Sequence, residues 1–329
     1  MSDISDIFEL FVGIINNFHR AEISLDSPLE KMILGASTGK IVYLDNRRDA
    51  KGKYEFDFWR DIFKKFANYS EALDWLKSKG ISEKMLYSKS DQFPDIVFKA
   101  KRTNGGFTCG SLLEMKDAKG SAIASFNSTL PTKSKSLKEV DIINGGNLVS
   151  RITAAFEEVI TDFSEFYSYQ RRCFYFVRTN KANLSKTKIS LIDGSFFETI
   201  PTKELIAKTF LSIIQAHQEA KSEKLSDDEL KHLESILAFL DNHNLISSSK
   251  HIDKASVKPR LRLMAEVHPE GNPHSRFYPE IPARSVNFIF PESDFSFLQK
   301  EAQINLKNLK QTIITHKRNG KYIVLQYVF

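Results

Sequence analysis

Five consecutive apolar residues, Cys173-Phe174-Tyr175-Phe176-Val177, constrain this chain more than any other feature. A strand with one wet face alternates apolar and polar side chains, whereas an unbroken run marks a strand buried on both faces. Such a strand needs a packed layer on each side of its sheet. The expected fold class is therefore α/β, a mixed central β-sheet flanked by helices.

The layers can be read along the chain. Residues 3–18 predict a first helix with Ile7, Leu10, Phe11, Ile14 and Ile15 on one face. A second begins after Asp26-Ser27, where Pro28 suits a first helical turn and Leu29, Met32 and Ile33 turn inward. Two amphipathic helices over 55–67 and 70–79 form a helical insertion near 50–80. Strands are expected over 84–89, 95–100 and 111–117, then a long helix over 147–167 ahead of the 173–177 strand. Segments 189–192 and 196–200 flank Asp193-Gly194, a hairpin signal. Helices follow over 202–221 and 227–242, the second opened by the capping-box pattern Ser226-x-x-Glu229. Residues 260–267 alternate like a half-buried strand, and 268–284 hold four of the ten prolines in a long ordered loop or lid. A last helix and a strand over 322–329 close the chain. At 329 residues the expected division is a core over 1–200 and a C-terminal α+β part over 201–329 packed on it.

Composition narrows the class. With 41% hydrophobic and 27% charged residues the chain is globular rather than disordered. No stretch approaches the ~20 apolar residues that cross a bilayer. The N-terminal Met-Ser-Asp-Ile-Ser-Asp is acidic where a secretory signal would be basic. Two cysteines, Cys109 and Cys173, exclude a disulfide framework and a Cys-x-x-Cys zinc site, and a cytoplasmic location is expected. Lys plus Arg exceed Asp plus Glu by 47 to 41, giving +6, in short groups that suit a folded basic surface rather than a disordered arm.

The segment that carries chemistry is Phe93-Pro94-Asp95-Ile96-Val97-Phe98, then Thr103-Asn104-Gly105-Gly106, then Leu112-Leu113-Glu114-Met115-Lys116. Asn104-Gly105 favours a two-residue turn between antiparallel strands, which sets Asp95 opposite Glu114 with Cβ atoms about 4.5–5.5 Å apart. A loop at Gly105-Gly106 sets Asp95 opposite Lys116 instead. In either register the three share one face, and Leu113 and Met115 point into a core. Facing carboxylates repel unless a cation lies between them. Mg²⁺ fills that role with oxygen ligands and retained waters, and Lys116 beside it orients a water as the ammonium or deprotonates it as the neutral amine, and offsets charge on a phosphate. Acid-x-Lys alone is common, recurring at Asp49/Lys51, Asp117/Lys119, Glu219/Lys221 and Glu229/Lys231. Here the pattern lies on a strand after a strong turn, paired with the only Pro-Asp dipeptide of the chain.

Pro94-Asp95 with Glu114-Met115-Lys116 resembles the PD-(D/E)xK nuclease signature, most of whose type II members are restriction endonucleases. The resemblance extends over residues 24 to 180 in element order: helix, three strands, long helix, strand. It implies that Asp95 and Glu114 are metal ligands, that Lys116 is the catalytic lysine, and that Glu30 on the first core helix is a further acidic member of the site. It implies Mg²⁺-dependent, sequence-specific hydrolysis of double-stranded DNA by a homodimer, a two-fold protein on a two-fold target. No nucleotide cofactor is expected, since no Gly-x-x-x-x-Gly-Lys-Ser/Thr stretch occurs. The rivals are a repair or junction-resolving nuclease and, in a different class, a non-catalytic basic DNA-binding protein.

Two segments are candidates for DNA contact. Residues 118–136 leave the catalytic strand rich in Ser, Thr, Asn and Lys, with Ser125, Asn127 and Thr129 as base readers and Lys133 and Lys135 as phosphate contacts. The 268–284 loop offers Asn272, His274, Arg276 and Arg284. The C-terminal part is the expected seat of recognition or dimerisation. Arg171-Arg172 either caps the buried strand or meets phosphate, and the residues alone leave that open.

Overall fold

A computed structural model describes residues 3–36, 41–43, 93–101, 107–121, 131–144, 163–198, 202–222, 224–238, 278–301 and 309–329, with positions 74, 78, 149 and 152. Within these, the strands are β1 (Ile41–Tyr43), β2 (Ile96–Lys101), β3 (Phe107–Asp117), β4 (Ser134–Lys135), β5 (Arg171–Thr179), β6 (Lys188–Asp193), β7 (Ser285–Pro291), β8 (Lys310–His316) and β9 (Gly320–Val328). The helices are α1 (Asp3–His19), α2 (Leu29–Ala36), α3 (Leu137–Asn144), α4 (Phe163–Ser168), α5 (Thr202–Ala220), α6 (Asp227–Leu237) and α7 (Phe295–Glu301).

The strands build one mixed sheet in the order β1-β2-β3-β5-β6-β7-β9-β8, with β4 pairing β5 off this path. Pairs β3/β5 and β6/β7 are parallel and the rest antiparallel. This is the α/β class expected, with helices against the sheet. The apolar run lies in β5, where Cys173 to Val177 are all buried. Alternation sends Phe174 and Phe176 into a core shared with α1 and α2. Cys173, Tyr175 and Val177 take the opposite face with Val97, Leu112 and Ile192, all buried.

The α1 stripe packs as its periodicity implies. Ile7, Leu10, Phe11, Ile14 and Ile15 are buried, and Phe11 meets Phe288 of β7 with ring centroids 5.8 Å apart. A Cβ on Gly13 would sit 2.8 Å from the Ala36 carbonyl, so glycine sets the close approach of α1 and α2. Both cysteines are free and buried.

Several elements differ from expectation. Strand β1 at 41–43 precedes the hairpin; the expected strand over 84–89 and the helix over 55–67 lie outside the described residues, as do 260–267 and 239–277 more widely. Of the expected 70–79 helix only Asp74 and Ser78 are described, both helical. The 147–167 helix is described only at 149, 152 and 163–168, also helical, while α3 is an addition to the expected elements. Its signal is the capping box Ser136-x-x-Glu139: Glu139 N–H donates to Ser136 Oγ at 3.2 Å, and Ser136 N–H to Glu139 Oε2 at 2.7 Å.

Asp193-Gly194 is not a hairpin turn. Asp193 ends β6 and caps a short 3₁₀ helix, Gly194–Phe196, by accepting from Ser195 N–H. The glycine serves a close approach instead: a Cβ there would lie 1.9 Å from the Thr132 carbonyl. The capping box at Ser226 and Glu229, by contrast, forms as read.

The chain divides into two compact units. One holds the sheet (1–125, 131–198 and 266–329); the other comprises 126–130 and 199–265 and contains α5 and α6. β7, β8 and β9 belong to the sheet of the first unit. Gly194→Ala is expected to lower the unfolding free energy by about 1–3 kcal/mol, because the added methyl displaces the Thr132 backbone. Chemical denaturation checks this, and an unchanged midpoint contradicts the packing role.

Candidate active site

Pro94 has no N–H to give a ladder, so β2 starts one residue after Asp95. Ile96 then pairs with Leu113 and Val97 with Leu112. One step further along the ladder Asp95 faces Glu114, the first of the two registers open in the sequence. Beyond Val97 the register shifts by one, so Lys99 faces Cys109 and Lys101 faces Phe107. Such a bulge separates the site from the turn, so the turn does not by itself set the pairing at the site. A side-chain bond holds it instead: Met115 N–H donates to Asp95 Oδ2 at 2.7 Å. Leu113 lies in the core and Met115 packs partly buried against it.

Glu114 and Lys116 project from the same face of β3, and Lys116 Nζ donates to Glu114 Oε1 at 2.5 Å. Asp95 and Glu114 are 7% and 8% exposed, a depth at which an unpaired charge is costly. Burial pushes the Asp95 carboxyl well above the usual carboxylate range, and the charges of Glu114 and Glu30 raise it further against the opposing pull of Met115 N–H and Lys116. Burial also raises Glu114, with Lys116 opposing. Glu114 Oε2 is buried and accepts no hydrogen bond. Glu30, in the first turn of α2, is itself buried at 7% exposure. The structure therefore brings together Asp95, Glu114 and Lys116 at one end of the sheet, with Glu30 near enough for its charge to raise Asp95.

What holds Glu30's helix there is Arg178, which is fully buried. Its guanidinium grips Asp117 with two bonds, Nε to Oδ1 at 2.8 Å and Nη2 to Oδ2 at 2.7 Å. Its Nη1 donates to the carbonyls of Leu25 and Ser27, just ahead of α2. Asp117 directly follows Lys116, so one side chain ties the start of α2 to the end of β3. Burial alone would raise Asp117, but hydrogen bonds from Arg178 and Lys181 hold it below its usual value. No local pattern announces this pair, because its members stand 61 residues apart.

The other sequence candidates fall in different places. Lys133 is exposed, as a phosphate contact requires. Lys135 is buried, because β4 pairs with β5 and places it opposite Arg171, so it does not stand on a surface open to phosphate. Ser125, Asn127, Thr129, Asn272, His274 and Arg276 lie outside the described residues. The open choice for Arg171-Arg172 is resolved in favour of structure. Arg171 donates to the carbonyls of Cys109, Phe166 and Tyr169. Arg172 pairs with Asp193 and Asp294.

Among the described residues no three His, Cys, Asp or Glu side chains converge tightly enough to hold a metal unaided. A hard cation such as Mg²⁺ does not require three, since it keeps several waters and is bound through one or two carboxylates. The partnerless buried Oε2 of Glu114 beside Asp95 fits that donor set. Comparison of the chain with family models, curated proteins and solved structures returns no match.

A carboxyl with a raised folded-state pKa contributes stability present below its unfolded value and lost as pH rises through the folded one. Asp95 and Glu114 thus weaken the metal-free fold at neutral pH. Asp95→Asn keeps an acceptor for Met115 N–H but removes a charge. In chelator at pH 7 this variant is expected to be more stable than wild type by about 1 kcal/mol or more. The gain is expected to vanish below about pH 3, where the wild-type carboxyl is protonated in both states. Denaturant titration at the two pH values checks this. A variant no more stable than wild type at pH 7 would show that the carboxylates are not in conflict.

Proposed function

We propose that this chain is a Mg²⁺-dependent nuclease that hydrolyses phosphodiester bonds in double-stranded DNA, of the PD-(D/E)xK type and acting as a restriction endonuclease. The observation that carries the reading is the buried convergence of Asp95, Glu114 and Lys116 at a strand end, with Glu30 beside them. Acid-x-Lys on a surface is ordinary; two buried carboxylates with one oxygen left unpartnered are not. Element order is compatible with the reading in part: α2, the antiparallel β2-β3 pair, the helical residues at 149, 152 and 163–168, and β5 parallel to β3 follow the order that the resemblance implies, while the expected strand over 84–89 lies outside the described residues.

Asp95 and Glu114 would hold the metal, with Glu30 behind them adding negative charge. Bound there, the metal supplies Lewis-acid activation of water and charge neutralisation at the phosphate. The chain's own part is positional. Met115 N–H fixes Asp95, and Arg178 keeps Glu30's helix against the end of β3. Lys116 orients the attacking water and faces the phosphate. One P–O bond forms from that water, which gives up a proton to solvent, one ester P–O bond breaks with its leaving oxygen protonated from solvent, and the ammonium offsets the charge that develops between these events.

Plasmid digestion with Mg²⁺ tests the proposal. Discrete fragments support the restriction reading, cleavage confined to branched substrates supports a junction nuclease, and binding without cleavage leaves only a DNA-binding protein. Asp95→Asn and Glu114→Gln are expected to abolish cleavage while DNA binding survives; wild-type rates in either sink the site. Lys116→Ala is expected to reduce cleavage at least ~10²-fold with metal affinity held or increased. Loss of metal binding with normal turnover of the residual complex would make the lysine structural. A homodimer acting on a palindromic site is part of the proposal.

A further inference from the structure

We infer that the two turns leaving the catalytic end of the sheet, residues 118–121 after β3 and 180–187 after β5, form one rigid basic surface that binds the phosphate backbone of double-stranded DNA flanking the cut. The inference rests on the nuclease reading and extends it to a surface outside the catalytic residues.

Position comes first. Strands β3 and β5 are parallel, with Lys116 beside Val177 and Asp117 beside Arg178, so both turns emerge at the end where Lys116 stands. Neighbouring strands lie about 4.8 Å apart and rise about 3.3 Å per residue. The 180–187 turn therefore begins well within one helical turn of DNA, about 34 Å, of the catalytic lysine.

Rigidity comes second. The turns are stitched together by backbone bonds: Asn180 N–H to the Gly120 carbonyl at 2.8 Å, Lys181 N–H to Ala118 at 3.1 Å and Ala182 N–H to Lys119 at 3.4 Å. Inside the longer turn, Thr187 Oγ1 donates to the carbonyls of Asn180 and Asn183, and Asn183 Oδ1 accepts from both Ser185 N–H and Ser185 Oγ. Asn180 holds a left-handed φ of +56° within this net. A loop already ordered loses little conformational freedom on binding.

Charge comes third. The twelve residues of the two turns carry Lys119, Lys181 and Lys186 and no acid. The nearest carboxylate on β3, Asp117, is engaged by Arg178 and by Lys181. Lys119 and Lys186 are exposed and have no ion-pair partner among the described residues. Two exposed cations without ion-pair partners, one on each of these stiff turns beside the site, suit a polyanion.

The test measures binding of a fluorescein-labelled duplex oligonucleotide by anisotropy across a salt series, using Glu114→Gln protein with and without the double change Lys119→Ala/Lys186→Ala. For each phosphate that goes unneutralised, the slope of log affinity against log salt is expected to fall by about 0.9, so the pair lowers it by about 2. Affinity should fall at least ~10-fold at moderate salt, equally for every sequence, and Lys→Arg at both positions should restore it. With Glu114 intact, the double variant should raise KM and leave kcat unchanged. An unchanged salt slope in a protein that binds and cleaves DNA overturns this inference alone. Loss confined to one sequence also overturns it, since that is base reading. A wild-type chain that neither binds nor cuts DNA overturns the nuclease reading and this inference together.

Discussion

Two carboxylates buried across a strand pair repel one another, and the site end of this structure is arranged around that conflict. Asp95 and Glu114 are both removed from water, and burial raises the pKa of both against the opposing pull of Lys116. A fold seeking only stability would place apolar residues at these positions, as it does at Leu112 and Val97 on the same face. Retaining the acids costs stability in the metal-free chain and is understandable where a cation completes the set.

Rigid surroundings make that arrangement tenable. Arg178 is the clearest of them, a buried guanidinium with four bonds to Asp117, Leu25 and Ser27. Removing one partner of such a pair typically costs about 3–5 kcal/mol, because it strands the other charge. The same clamp presents Glu30 to the site and anchors the end of β3 from which the 118–121 turn departs. Stability, geometry of the acids and presentation of the basic turns are therefore coupled through one side chain.

Much of this is legible in the sequence because it is local. The 173–177 run, the stripe of α1 and the capping box at Ser226 rest on periodicities and capping patterns acting over a few residues, and the pairing that sets Asp95 opposite Glu114 is legible only in part. The pairing is read through a turn whose register the bulge after Val97 interrupts; the bond between Met115 N–H and Asp95 restores it at the site. What stays illegible is non-local or ambiguous. Arg178 and Asp117 meet across the sheet, and β7, β8 and β9 return to that sheet only after the second unit, which leaves no trace in a window of ten residues. Asp193-Gly194 shows that one dipeptide answers two demands, a turn or a close backbone approach, and only the neighbouring Thr132 decides between them.

The central claim is that the conflict between Asp95 and Glu114 is resolved by a divalent cation. Electron paramagnetic resonance of Mn²⁺, a spectroscopic stand-in for Mg²⁺, measures this directly on the folded protein without any nucleic acid. The wild-type chain is expected to bind Mn²⁺ in competition with Mg²⁺, and both Asp95→Asn and Glu114→Gln are expected to lose it. Equal Mn²⁺ binding in all three proteins would contradict the claim.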